Sequence, residues 1–99
     1  MTPPIQADRL LADITSLAQI GASDDGGVSR PALSAADVDG RNWFRAQAEA
    51  ASLVVSTDGA GNLSARLLSP HPDAKTILIG SHLDTVPGGG RYDGALGVL

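Results

Sequence analysis

One histidine and two aspartates in the last fifth of the chain are the side chains best suited to chemistry. His82 is followed two residues later by Asp84, and Asp93 lies beyond a glycine-rich stretch. Imidazole and carboxylate groups bind divalent cations, and the two oxygens of a carboxylate can bridge two of them. Because the chain has no cysteine, any metal must be held by histidine, carboxylate or water. The pattern therefore predicts a divalent metal site with His82 and Asp93 as ligands.

Asp84 is predicted to orient His82. Side chains two residues apart on an extended backbone point the same way, and a carboxylate beside a metal-bound histidine accepts the proton of the second ring nitrogen. An H-x-D spacing by itself is common, and a glycine triplet is more often a flexible loop than a ligand cradle. A second hypothesis therefore stays open, in which the chain is a small anion-binding or structural module that uses the loop of Gly88, Gly89 and Gly90.

Two helices and a hairpin precede this segment. Apolar residues at helical spacing predict a helix over residues 5–20. Ser34, with Asp37 three residues later, is an N-cap pattern and predicts that a second helix begins there. Residues 53–57 and 62–68 are predicted to be the two strands of a hairpin, because a glycine-rich turn separates them.

The run that leads into His82 has a different pattern. Residues 76–81, TILIGS, form a short apolar stretch that is typical of a strand buried on both faces in the centre of an α/β sheet. His82 would then stand at the carboxyl end of this strand, which is where ligands bind in open α/β sheets. A further helix is predicted to begin at Ala95. The expected fold class is α/β.

Composition excludes several classes of partner. The net charge is −4, from 11 acidic and 7 basic residues, and the basic residues are scattered. Binding to nucleic acid is therefore not expected, since no basic stripe could follow a phosphate backbone. No stretch approaches the roughly 20 apolar residues that span a bilayer, and the first residues lack the pattern of a signal peptide. These features predict no membrane partner and a cytoplasmic location.

Longer motifs connect this segment to a known family. GSHLDTV, then GG-x-YDG and LGVL, together with GGVSR-x-ALS and D-x-x-GNL upstream, resemble the amidase/hydantoinase–carbamoylase branch of the aminoacylase-like metallohydrolases. This branch includes N-carbamoyl-L-amino-acid hydrolases, β-ureidopropionases and allantoate amidohydrolases. The resemblance covers nearly the whole chain but only the first part of a family member. It implies that residues 1–99 are the N-terminal part of a zinc-aminopeptidase-like α/β catalytic domain.

The resemblance also implies roles for the site residues. His82 would bind one metal ion, Asp93 would bridge two, and Asp84 would clamp the imidazole. The implied cofactors are two divalent ions per subunit, Zn²⁺ or Mn²⁺, with Co²⁺ or Ni²⁺ as alternatives, and the implied assembly is a homodimer. A cis peptide bond is implied between Asp93 and Gly94.

The implied reaction is hydrolysis of a linear amide or ureide by a water activated between the two metals. In the carbamoylases its products would be an amino acid, ammonia and carbon dioxide. The general-base glutamate of the family, its neighbouring glutamate ligand and two further histidine ligands are expected beyond residue 99, as is the lid and dimerisation domain. The 99 residues alone are therefore expected to be inactive, since two protein ligands cannot close even one four-coordinate site.

Overall fold

The apolar stripe of the first predicted helix is buried, and this burial holds the helix in place. The structure is a computed structural model that describes residues 4–99, and its first helix, α1, runs Ala7–Ala18. Ile14, Leu17 and Ala18 are buried, whereas Leu11 on the flank is 55% exposed. The helix is confirmed, although it is two residues shorter at each end than predicted.

The second helix begins at the predicted N-cap. It runs Ala35–Ala50 and is labelled α2. The Asp37 N–H donates to the hydroxyl oxygen of Ser34 at 3.1 Å, and the Asp37 carboxylate accepts the N–H of Leu33 at 3.0 Å. The Asp37 N–H, a first-turn donor without a helical partner, is thereby satisfied, and so is the N–H of Leu33 just before the N-cap. Trp43 and Phe44 of this helix are half-buried.

The predicted hairpin is confirmed with shorter strands. β1, Val54–Thr57, pairs antiparallel with β2, Leu63–Arg66. In the turn, the Asp58 carboxylate accepts the backbone N–H groups of Ala60 and Asn62, both at 2.9 Å, and the side-chain amide of Asn62 at 2.9 Å. The Asn62 side chain, and after it the Asn62 N–H, hold the pKa of Asp58 below its ordinary value.

The prediction of a buried central strand over residues 76–81 is wrong for this structure. These residues have no regular secondary structure. Ile77, Leu78 and Ile79 are 90%, 87% and 83% exposed. A strand needs neighbours for its backbone and cover for both faces, whereas the two-stranded sheet of residues 4–99 is complete with β1 and β2.

The chain divides into two units. One comprises residues up to Gly40 together with Gly80–Leu99, and the other comprises Arg41–Ile79. In the first unit a short helix at the chain end, α3, runs Ala95–Val98 and contacts α1, with Ala95 1% exposed. Among residues 4–99, no helix is both long enough and apolar enough to cross a membrane.

Candidate functional site

The three predicted site residues lie together in the first unit. The Nε2 atom of His82 is 3.6 Å from the Oδ1 atom of Asp93, although eleven positions separate the two residues in the chain. The Nδ1 atom of His82 is 3.5 Å from the Oδ1 atom of Asp84. Each nitrogen of the imidazole therefore faces a different aspartate.

The main chain of Asp84 decides which nitrogen of His82 carries the proton. The Nδ1 atom lies 2.9 Å from the backbone carbonyl oxygen of Asp84, closer than it lies to the Asp84 carboxylate. Because a carbonyl oxygen can only accept, Nδ1 must donate. In the neutral ring this leaves the lone pair of Nε2 directed toward Asp93. Asp84 thus contacts His82 as predicted, but its shorter contact is through the backbone.

The backbone of Gly94 lies against the imidazole ring of His82. Gly94 has a φ of +73°, and a Cβ atom at this residue would overlap the backbone carbonyl oxygen of His82 and would lie 2.5 Å from Nδ1 of its ring and 2.6 Å from Cε1. The imidazole therefore packs directly on the Gly94 backbone, which leaves no room for a side chain. The implied cis bond between Asp93 and Gly94 is wrong for this structure, since every peptide bond within residues 4–99 is trans. A trans bond avoids the roughly 3 kcal/mol that a non-proline cis bond costs.

The glycine loop is held by residues 28 and 29. Gly89 and Val28 exchange two backbone hydrogen bonds of 2.8 Å each, and the N–H of Gly88 donates to the hydroxyl oxygen of Ser29 at 2.8 Å. Two of the backbone donors that an anion cradle would need are thus already occupied. This observation disfavours the hypothesis of an anion-binding module.

Arg30 is the residue of this region that the sequence reasoning missed. It is 2% exposed, and its guanidinium donates to the carbonyl oxygens of Leu83 at 2.8 Å, Leu17 at 2.9 Å and Ile20 at 2.6 Å. Burial lowers its pKa, while the charges of Asp37 and Asp84 act in the opposite direction. The only sequence signal is its place in the GGVSR motif, which carries no mark of burial.

The geometry of His82 and Asp93 fits two ligands of one cation. Their facing atoms are 3.6 Å apart, which is longer than a direct hydrogen bond of about 2.7–3.2 Å. With bonds of about 2.0–2.2 Å and a tetrahedral angle, two ligand atoms of one metal are about 3.3–3.6 Å apart. A cation between them would also neutralise the carboxylate that faces the lone pair of Nε2.

The ligand set is open toward solvent. The side chains of His82, Asp84 and Asp93 are 52%, 43% and 63% exposed. Within residues 4–99, no group of three or more histidine, cysteine or acidic side chains is arranged to hold a metal ion. The two candidate ligands of this chain therefore leave coordination positions to be filled by other groups.

Named amidohydrolases are among the curated relatives of this chain. No family model matches the chain. The chain is 42% identical over 95 residues to the N-carbamoyl-L-amino-acid amidohydrolase of Rhizobium meliloti, covering 96% of this chain and 23% of that protein. It is 41% identical over 83 residues to the allantoate amidohydrolase of Bacillus subtilis (strain 168), covering 84% of this chain and 20% of that protein.

Solved structures agree with the sequence comparison. A hydantoinase/carbamoylase family amidase from Burkholderia ambifaria superposes with a TM-score of 0.91 at 45% identity, over 94% of this chain and 23% of that one. The chain thus spans about a quarter of the length of the proteins it matches. The resemblance indicated by the GSHLDTV and YDG motifs is therefore confirmed: in sequence and fold, these 99 residues match a segment of the N-carbamoyl-L-amino-acid and allantoate amidohydrolases and of the hydantoinase/carbamoylase family amidases.

Proposed function

We propose that these residues are part of a ureide amidohydrolase, which hydrolyses a linear C–N bond of an N-carbamoyl-L-amino acid or of a related ureide such as allantoate. The relatives that carry these activities in their names support the substrate class. The observation that carries the proposal is the 3.6 Å distance between Nε2 of His82 and Oδ1 of Asp93, because it suits two ligands of one cation and not a direct hydrogen bond.

The proposed cofactors are two divalent cations, Zn²⁺ or Mn²⁺. Bound cations of this kind lower the pKa of a water molecule and polarise the carbonyl group that the water attacks. His82 supplies a neutral nitrogen ligand through Nε2. Asp93 would supply a carboxylate oxygen as a second ligand, since its Oδ1 faces Nε2 of His82.

Asp84 and Gly94 keep the ligand nitrogen in place. The Nδ1–H of His82 donates a hydrogen bond to the Asp84 carbonyl oxygen, which leaves the Nε2 lone pair free to bind a cation. The Gly94 backbone supports the face of the ring and limits its rotation. Since substrate hydrolysis depends on where the ligands stand, these contacts act on the reaction through the position of His82.

The remaining ligands and the general base are proposed to come from sequence outside these 99 residues. His82 and Asp93 leave a four-coordinate site half filled. The relatives are about four times longer than the matched segment. The exposed apolar side chains of Ile77, Leu78 and Ile79 also suit a segment that is covered in a larger protein. The segment alone is therefore proposed to be inactive, and the complete enzyme is proposed to be a homodimer.

A metal titration of the full-length enzyme tests the proposal. Metal-free protein is titrated calorimetrically with Zn²⁺ and with Mn²⁺, and ammonia release is measured with an N-carbamoyl-L-amino acid and with allantoate. His82→Ala and Asp93→Asn are expected to weaken metal binding by at least tenfold and to abolish ammonia release, because each removes a ligand.

Matched controls are available in an exposed loop of the other unit. His71→Ala and Asp73→Asn remove the same chemical groups from residues that are exposed and outside the site. Both controls should bind metal and release ammonia as the unmodified enzyme does. Tight stoichiometric metal binding that survives the double variant of His82→Ala and Asp93→Asn would refute the assignment of the site.

A further inference from the structure

We propose that Arg30 is a positioning residue for the candidate metal site, which it serves by holding the backbone on both sides of Asp84. The inference rests on the proposed function, since it concerns the site to which His82 contributes. Arg30 is distant from this site in sequence: its Nε atom donates to the carbonyl oxygen of Leu83 across 53 positions.

The contacts of Arg30 bracket Asp84. Before Asp84, the guanidinium fixes the carbonyl oxygen of Leu83 at 2.8 Å. After Asp84, the N–H of Arg30 donates to the hydroxyl oxygen of Thr85 at 2.9 Å, and the N–H of Thr85 donates to the Arg30 carbonyl oxygen at 2.7 Å. One residue therefore holds the chain immediately before and immediately after Asp84.

This bracket holds both of the peptide planes that meet at Asp84. The carbonyl group of Leu83 shares the first plane with the nitrogen of Asp84, and the carbonyl group of Asp84 shares the second with the nitrogen of Thr85, whose N–H donates to the Arg30 carbonyl oxygen. The carbonyl oxygen of Asp84 in turn accepts a hydrogen bond from Nδ1–H of His82 at 2.9 Å. Moving the Leu83 carbonyl is expected to move the partner that selects the His82 tautomer.

The other contacts of the guanidinium give the bracket a rigid support. Its NH1 atom donates to the carbonyl oxygen of Leu17, in the last turn of α1, and to that of Ile20, two residues beyond the helix. Gly40 packs against it so closely that a Cβ atom there would lie 3.0 Å from Cδ of Arg30. A buried cation is costly unless its donors are satisfied, and here three carbonyl oxygens accept from it.

A role confined to stability would predict a different result from a positioning role. Ile14→Ala is the control for stability, because Ile14 is a buried residue of α1, 3% exposed, on the apolar stripe of that helix. Arg30→Lys keeps the positive charge but has a point-like donor in place of the planar fork. Arg30→Ala removes the guanidinium and leaves a cavity that added methylguanidine can enter.

The experiment measures two properties of the metal-free and the titrated full-length enzyme. The first is the Kd for Zn²⁺, measured by competition with a chromogenic chelator. The second is the protonation of the ring nitrogens of His82, measured by long-range ¹H–¹⁵N correlation spectra of protein with labelled histidine and assigned with His82→Ala. The second measurement does not require metal, so it tests the role of Arg30 even if the proposed function fails.

Arg30→Lys is expected to weaken Zn²⁺ binding by about tenfold and to change the His82 signal from one tautomer to a mixture. Added methylguanidine should restore the Zn²⁺ affinity and the His82 tautomer to Arg30→Ala. Ile14→Ala should lower the thermal midpoint while leaving the Zn²⁺ affinity and the His82 tautomer unchanged. The proposal is overturned if Arg30→Lys keeps the Nδ1–H tautomer of His82, or if Ile14→Ala changes that tautomer as much as Arg30→Lys does. Absence of Zn²⁺ binding in the unmodified enzyme would instead overturn the proposed function.

Discussion

Three glycine-to-alanine variants in one short segment can separate backbone strain from displacement of His82. Gly90, Gly88 and Gly94 would each receive the same methyl group. At Gly90 the added Cβ meets no atom within 4 Å and the φ angle is ordinary for an L residue. At Gly88 the space is also open, but φ is +64°. At Gly94 φ is +73° and the Cβ would lie 2.5 Å from Nδ1 of His82.

The expected free energies of unfolding follow from these differences. Gly90→Ala should be neutral or stabilising by up to about 1 kcal/mol, because alanine restricts the unfolded chain. Gly88→Ala should destabilise by about 1–2 kcal/mol, which is the cost of a positive φ for an L residue. Gly94→Ala carries this strain and an overlap with both the backbone carbonyl oxygen and the ring of His82 that adds about 1–3 kcal/mol, so its total is about 2–5 kcal/mol.

The assay is Zn²⁺ titration of the full-length enzyme beside equilibrium unfolding in urea. Gly94→Ala is expected to weaken Zn²⁺ binding by at least tenfold, because its methyl group displaces the ligand nitrogen. Gly88→Ala and Gly90→Ala should change the Kd by less than twofold. If Gly94→Ala binds Zn²⁺ as tightly as Gly88→Ala, the ring of His82 does not depend on its contact with the Gly94 backbone, and the reasoning is refuted.

Two further predictions concern the elements that carry the site and the hairpin. Leu17→Ala is expected to destabilise the protein by about 2–5 kcal/mol, because the Leu17 side chain is buried and 1% exposed. Leu11→Ala, at a residue 55% exposed on the same helix, should cost less than about 1 kcal/mol. Equal losses of unfolding free energy in urea would contradict the assigned buried face of α1. Because the pKa of Asp58 is lowered in the folded protein, its carboxylate binds fewer protons in the folded chain than in the unfolded chain. The stabilisation that Asp58 contributes is therefore present above about pH 4 and is lost as the pH falls through the pKa of the folded state. The difference in thermal midpoint between the unmodified protein and Asp58→Asn should therefore shrink between pH 6 and pH 3, and a difference that grows at low pH would contradict it.

Short-range patterns explain the features that the sequence predicted correctly. The start of α2 depends on Ser34 and Asp37, whose hydrogen bonds span three and four positions. The hairpin turn depends on Asp58 and Asn62, whose contacts also span four positions or fewer. Contacts of this range are decided by residue type and spacing, so they can be read without knowing the rest of the chain.

The prediction of a strand over residues 76–81 was wrong because strand formation depends on contacts that are distant in the sequence. The apolar run of Ile77, Leu78 and Ile79 has the composition of a buried strand, yet it is exposed and unpaired with any other part of residues 4–99. Composition expresses a preference for β structure, but a ladder also needs a neighbouring backbone at hydrogen-bonding distance. That neighbour is a property of the tertiary structure.

The sequence by itself determined which groups could do chemistry: one imidazole and two carboxylates, within motifs whose resemblance to the N-carbamoyl-L-amino-acid amidohydrolases and the hydantoinase/carbamoylase family amidases is confirmed. Only the tertiary structure decided how they are held. It placed Nε2 of His82 within 3.6 Å of Asp93, put the Gly94 backbone under the ring and buried Arg30 against carbonyl oxygens as far as 53 positions away. A buried guanidinium is recognisable only from the acceptors around it, and these acceptors are backbone atoms that every residue carries.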